Sequence, residues 1–217
     1  MGENTVAKME SIKVWDIFVR GFHWALVGSM IGMYISGEEM KSVHIRLGYF
    51  VMVLVLVRIV WGFIGTKHAR FVDFLYRPAE IFHYLKSLLF GKPIHYIGHN
   101  PAGGLMVLVM LITLLATTYA GLKALAADGK GPLANIDQSI LSSAYADEDE
   151  HEEEEEHYPQ SYRDKAKDEF WEEIHKVMTT SMLFFVVIHI CGVLVSSWLH
   201  RENLILSMIT GKKKSTA

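Results

Sequence analysis

The sequence predicts an all-α membrane protein, a four-transmembrane-helix bundle with an amphipathic helix at the interface. Three observations carry that expectation. Of 217 residues, 51% are hydrophobic, more than a soluble domain of this size needs for its core. The apolar residues gather in long blocks with almost no charge, while Lys, Arg, Asp and Glu gather between them, as expected when lipid surrounds the blocks. Four of the blocks approach the roughly 20 residues a helix needs to cross a hydrocarbon core.

The expected spans are about 16–36, 43–64, 102–123 and 175–199, within a single membrane domain, 1–217. The third, Ala102 to Leu122, and the fourth, from Val177 to Leu199, carry no formal charge. The first is uncharged only from Gly21 to Gly37, but Trp15, Phe18 and Phe22 extend its apolar face towards an interface where aromatic side chains are favoured. Pro101, followed by Gly103 and Gly104, suits a helix start, because proline's missing N–H costs nothing in a first turn. Residues 1–13 are polar and lack the pattern of a removable signal peptide, so the first helix is expected to be its own insertion signal.

Orientation follows from the Lys and Arg that flank the spans. Lys8, Lys13 and Arg20, then Lys67, Arg70, Arg77, Lys86 and Lys92, then Arg201 and Lys212 to Lys214 assign both termini and the 65–101 loop to the cytoplasmic side. The 124–174 loop is expected on the periplasmic side. In the 65–101 loop Phe71, Phe74, Leu75, Ile81, Tyr84, Leu85, Leu88 and Leu89 recur at roughly helical spacing among basic residues, which predicts an amphipathic helix lying at the interface. Asp164 to Glu173 reads as a helical lead-in to the fourth span.

Ionisable residues within spans are rare and expensive, so they are functional candidates. His23 lies on the first span, His44 at the start of the second, and His175 and His189 on the fourth. Fourteen residues of α-helix return to within about 40° of the starting direction and advance about 21 Å, so His175 and His189 share one face at two depths. Span one runs outward and span four inward, which levels His23 with His189; span two starts outside, which levels His44 with His175. Two pairs of imidazoles stacked in a four-helix bundle match the needs of two bis-histidine haems. The one cysteine, Cys191, and the absence of C-x-x-C-H make such haems b-type rather than thioether-linked. Arg58 lies fourteen residues after His44, on the same face at the inner depth, where a guanidinium needs an anion such as a haem propionate.

The remaining histidines, His68, His83, His95, His99 and His200, read as interfacial, with a quinone or propionate contact as the alternative. The acidic run Asp147 to Glu156, interrupted by His151 and followed by His157, admits three readings. It is a solvated segment, a docking surface for a basic periplasmic electron carrier, or a metal site.

Several motifs resemble the prokaryotic cytochrome b561 family, which includes the b-type cytochrome subunits of nickel–iron hydrogenases. They are Val14-Trp15-Asp16 with Arg20, Phe22, His23 and Trp24; His44, Leu47-Gly48-Tyr49 and Arg58-Ile59-Val60-Trp61-Gly62-Phe63; His68-Ala69-Arg70-Phe71; Tyr96 through Gly104; and Trp171-Glu172-Glu173-Ile174-His175 followed by His189. The resemblance runs over nearly the whole chain. It implies two haem b groups, one held by His23 and His189 and the other by His44 and His175. It also implies electron exchange between the quinone pool and a partner, a periplasmic cytochrome c or a hydrogenase. The acidic insert departs from a minimal member. A superoxide oxidase passing electrons to quinone, with Lys41 and Arg46 as its only obvious cations, and a non-redox metal transporter are the competing expectations. Besides membrane lipid and quinone, no nucleic-acid partner is expected.

Overall fold

The computed structural model describes residues 11–37, 39–90, 94–134 and 160–214; the acidic run with His151 and His157 lies outside them. In chain order the elements are strand β1 (Ser11–Lys13), helices α1 (Ile17–Ser36) and α2 (Lys41–Ile64), a 3-10 turn (Phe71–Asp73), and helices α3 (Pro78–Leu89), α4 (Pro101–Ala127), α5 (Gln160–Leu199) and α6 (Leu204–Thr210), closed by strand β2 (Lys212–Lys214). The described residues fall into two compact units, one from Met1–Leu111 with Phe184–Ala217 and one from Ile112–Leu183.

Among the described residues three helices are long and apolar enough to cross a membrane: α2, α4 and the Glu169–Leu199 part of α5. The fourth expected span, α1, is 20 residues long, but Arg20 and His23 in its first two turns lower its apolarity below theirs. The Asp164 to Glu173 lead-in is helical and continuous with the span, since α5 starts at Gln160. Along α2 the buried residues are Val51, Val55, Arg58 and Gly62. That spacing draws one stripe down one face, while Phe50, Val53, Leu56, Val60 and Phe63 are exposed. Large apolar side chains left outside a single buried stripe suit contact with lipid.

The 65–101 loop corrects the expected periodic helix. Phe71–Asp73 is a separate 3-10 turn, and the helix begins only at Pro78. A residue before proline is pushed out of the helical region, and Arg77 is extended, with φ −67° and ψ 147°. Glu80 accepts from the Arg77 backbone N–H at 3.1 Å, which fixes the start of α3. At α4, Pro101 opens the helix as expected, and the Asn100 side chain caps it by accepting from the Gly103 N–H at 2.7 Å.

In the first unit a cap joins the two ends of the chain. Strands β1 and β2 pair antiparallel, Ile12 opposite Lys213. Val14 and Trp15 both donate their backbone N–H to the Gly211 carbonyl, at 2.8 and 3.1 Å. Gly211 has φ 79°, and an added Cβ would come within 2.7 Å of the Trp15 carbonyl oxygen, so this close approach requires glycine. Arg20 and Trp24 reach back to the carbonyls of Ile209 and Met208. Asp16 caps α1 through the Val19 N–H and accepts from the Trp61 indole and the Thr66 hydroxyl. Glu202 binds His95 at 2.8 Å and the buried Lys213 at 3.6 Å.

Candidate functional site

His23 on α1 and His189 on α5 face each other in the first unit, with ring centroids 6.4 Å apart and planes inclined by 53°. Two imidazoles bound to opposite faces of one metal ion, each through a nitrogen–metal bond of about 2 Å, place their ring centres about 6 Å apart. The pair therefore has the separation that one shared iron needs. Gly192, three residues beyond His189, has nothing within 4 Å of where a Cβ would lie. The indole of Trp24 meets the His23 ring edge-on at 5.2 Å. His23 Nδ1 is buried with no hydrogen-bond partner among the described residues.

His44, in the first turn of α2, and His175, on α5 in the second unit, have a different setting. His44 Nδ1 lies 3.3 Å from the Met33 carbonyl oxygen of α1, and His175 Nδ1 lies 3.0 Å from the Thr117 carbonyl oxygen of α4. A carbonyl can only accept, so each Nδ1 is assigned the proton and each ring carries its lone pair on Nε2. That is the tautomer of a histidine ligand with a backbone orienter. Gly121 makes the His175 position: its Cβ would stand 3.0 Å from the ring's Cε1. Gly48, one turn beyond His44, has open space in its Cβ direction.

Arg58 is 3% exposed. Its Nη2 donates to the Ala69 carbonyl at 3.1 Å, and its guanidinium lies over the Phe71 ring at 5.6 Å. Nη1 is buried with no partner among the described residues. A buried guanidinium N–H left over in this way is costly, and an anionic oxygen is what would satisfy it. The carboxylates of a haem have that chemistry, so the donor set of paired imidazoles and an under-satisfied arginine fits the group.

Sequence reasoning did not find the surroundings of His99. Its ring packs on Trp15 at 4.6 Å and Phe74 at 4.9 Å, and its Nδ1 is buried and unpartnered among the described residues. Burial first, and then the positive charge of Arg58, push His99 down to about 3, so it is neutral at physiological pH. The signal that was available was the motif run from Tyr96 to Gly104, which places His99 directly before the start of α4. His95 and His200 pair edge-on at 5.2 Å beside Glu202, as interfacial residues of the cap. Among the described residues no group of three His, Cys, Asp or Glu side chains could hold a bare metal ion.

The comparisons with known proteins give the family. The model of a family described as prokaryotic cytochrome b561 matches residues 14–211. A protein of Azotobacter vinelandii described as "Probable Ni/Fe-hydrogenase B-type cytochrome subunit" is 29% identical over 138 residues, covering 51% of this chain and 58% of that protein. The chain thus spans somewhat over half the length of that relative. The protein of the same description from Rhizobium leguminosarum bv. viciae is 25% identical over 245 aligned positions, covering 98% of this chain and 92% of its own length. One from Bradyrhizobium diazoefficiens is 22% identical, covering 98% and 90%. No solved structure matches the chain. A family match from Val14 to Gly211 takes in the apolar helices and His23, His44, His175 and His189, and the chain belongs to the prokaryotic cytochrome b561 family of b-type cytochromes.

Proposed function

We propose that the protein is a di-haem b-type cytochrome of the bacterial inner membrane that carries electrons between the quinone pool and a redox partner. The observation that carries this reading is the facing pair His23 and His189, 6.4 Å between ring centres. Haem b, when bound, supplies one-electron chemistry at iron. The protein's part is to bind, orient and exclude water. His23 and His189 hold one group, and Arg58 offers its unpartnered Nη1 to a propionate there. His44 and His175 hold the other, each with its Nδ1 on a backbone carbonyl. In this reading α1 is the fourth span, both termini are cytoplasmic, and α3 lies along the inner interface. The relatives described as hydrogenase cytochrome subunits support a hydrogenase-type partner, with a periplasmic cytochrome c as the other class.

The test is a quantitative pyridine haemochrome assay on purified protein and on His23→Ala, His189→Ala, His44→Ala and His175→Ala. The expected result is about two haem b per chain in the parent and about one in each variant, with helix content by circular dichroism unchanged. A well-folded parent without haem, or variants that keep the full content, would overturn the assignment.

A further inference from the structure

The apolar stretch of α5 ends at Leu199, and the chain turns at once into the cap that joins its two ends. Two kinds of surface meet there, both within the first unit. Helix α6 leaves Ile205, Leu206 and Ile209 about half exposed, at 50%, 52% and 53%. At 100° per residue these three positions fall on one side of a helix, while Ser207 on the other side is buried. Helix α6 therefore turns an apolar side outwards. Beside it the Trp24 indole, 43% exposed, donates to the Met208 carbonyl at 3.4 Å. A tryptophan with one apolar end and one polar end favours the level of lipid head groups.

The other surface is cationic. In the β1–β2 ribbon Lys13 stands directly opposite Lys212, and both are exposed. Like charges placed opposite one another destabilise a pair of strands, and an anion lying over them removes that repulsion. The third cation is Arg201, exposed where α5 stops. It occupies the left-handed position of the helix end, with φ 51°. Its N–H donates to the Trp198 carbonyl and that of Glu202 to the Ser197 carbonyl. Glycine is the usual residue at such a position, so the backbone itself holds this arginine at the end of the span. The carboxylates of the cap are occupied elsewhere. Glu202 holds His95 and Lys213, and Asp16 accepts from Val19, Trp61 and Thr66. Lys13, Lys212 and Arg201 make no ion pair among the described residues.

We propose that the cap docks on anionic phospholipid, with phosphate head groups over Lys13, Lys212 and Arg201 and the apolar side of α6 against the acyl chains beneath. The proposal rests on the reading of α5 as a membrane span, which sets the cap at the bilayer surface. Charge selects the occupant. Three exposed cations with no acid paired to them favour a head group of net negative charge over a zwitterionic one. The apolar side of α6 next to them favours a lipid over free phosphate or an acidic protein. The attraction falls off within a Debye length of about 8 Å, so it acts on cations that reach the surface. Lys213, buried and paired with Glu202, takes no part.

The test is electron paramagnetic resonance of spin-labelled lipid in phosphatidylcholine vesicles that carry the full haem-loaded protein. Phosphatidylglycerol and phosphatidylcholine, each labelled near the end of one acyl chain, report the fraction of lipid held at the protein. The parent is expected to favour phosphatidylglycerol about fivefold, the scale of one cation at an anionic surface, and to lose the preference in about 1 M salt. The triple variant Lys13→Gln, Arg201→Gln, Lys212→Gln should show no preference, with haem content and melting temperature unchanged. A second triple, Arg70→Gln, Arg77→Gln, Lys86→Gln, removes the same charge from the segment around α3 and should keep it. Equal loss in both triples, or a parent that holds the two lipids alike, would overturn the cap site and leave the spans intact. A parent that holds neither lipid would overturn the span reading together with the site.

Discussion

The two pairs of candidate histidines are built differently. His44 and His175 each rest their Nδ1 on a backbone carbonyl, of Met33 and Thr117. His23 has a buried Nδ1 with no such partner among the described residues, and the proposed reading gives that pair the buried Arg58. A carbonyl orienter fixes the ring and raises its basicity as a ligand, which favours the oxidised metal. A nearby cation with an unused N–H does the opposite and favours the reduced one. In the proposed di-haem reading, the group on His23 and His189 has the higher reduction potential.

The largest effect is expected from a pair of glycines, one in each setting. A Cβ at Gly62 would lie 2.1 Å from the Phe71 ring, so Gly62→Ala must displace the ring that covers Arg58. Overpacking of this kind costs about 1–3 kcal/mol. The variant should melt earlier and lose the haem on His23 and His189 while keeping the other. At Gly121 the Cβ would meet the His175 ring at 3.0 Å, which a few tenths of an ångström relieve. Gly121→Ala should therefore cost less and broaden only the signal of the His175 haem in electron paramagnetic resonance. Equal haem loss in both variants would erase the distinction between the two settings.

Next in size is Arg58→Gln, which removes the charge and keeps a donor. In a redox titration the higher potential should fall by about 60 mV, a tenfold change for one electron, with the lower one unmoved. A shift in both would mean that the charge is not local to one haem.

The smallest effect concerns His99. Its pKa is lowered in the fold, to about 3, from an ordinary value of 6.5 in the unfolded chain. Below 6.5 the unfolded chain binds a proton that the folded protein refuses, so stability is lost as pH falls through that value and continues to fall towards pH 3. Between about pH 7 and about pH 6 the loss amounts to about 0.7 kcal/mol. Melting curves across that range should be flatter for His99→Gln than for the parent. An unchanged slope would show that His99 is not buried and neutral in the protein.

Hydrophobic blocks, helix spacing and the positions of His23, His44, His175, His189 and Arg58 are local properties, and the sequence by itself determined them. Uncharged blocks of about 20 residues are long enough to cross a bilayer as helices, and a fourteen-residue interval places two side chains of one helix on one face. The start of α4 at Pro101 was legible for the same reason, since a missing N–H acts within one turn. What the tertiary structure alone decided depends on residues that meet from opposite ends of the chain. The pairing of Ser11–Lys13 with Lys212–Lys214, the closure of Trp15 on Gly211 and the bond from Glu202 to His95 have no periodic signature. The motif Val14-Trp15-Asp16 was visible as a pattern, but its work of capping α1 and tying Trp61 and Thr66 appears only when α1 and α2 are packed. The same holds for the Tyr84 hydroxyl, which has no partner among the described residues, and for the ring contacts of Tyr96 with Tyr76 and Tyr84. Whether a buried polar atom is satisfied depends on every neighbour at once, and that is a property of the folded chain.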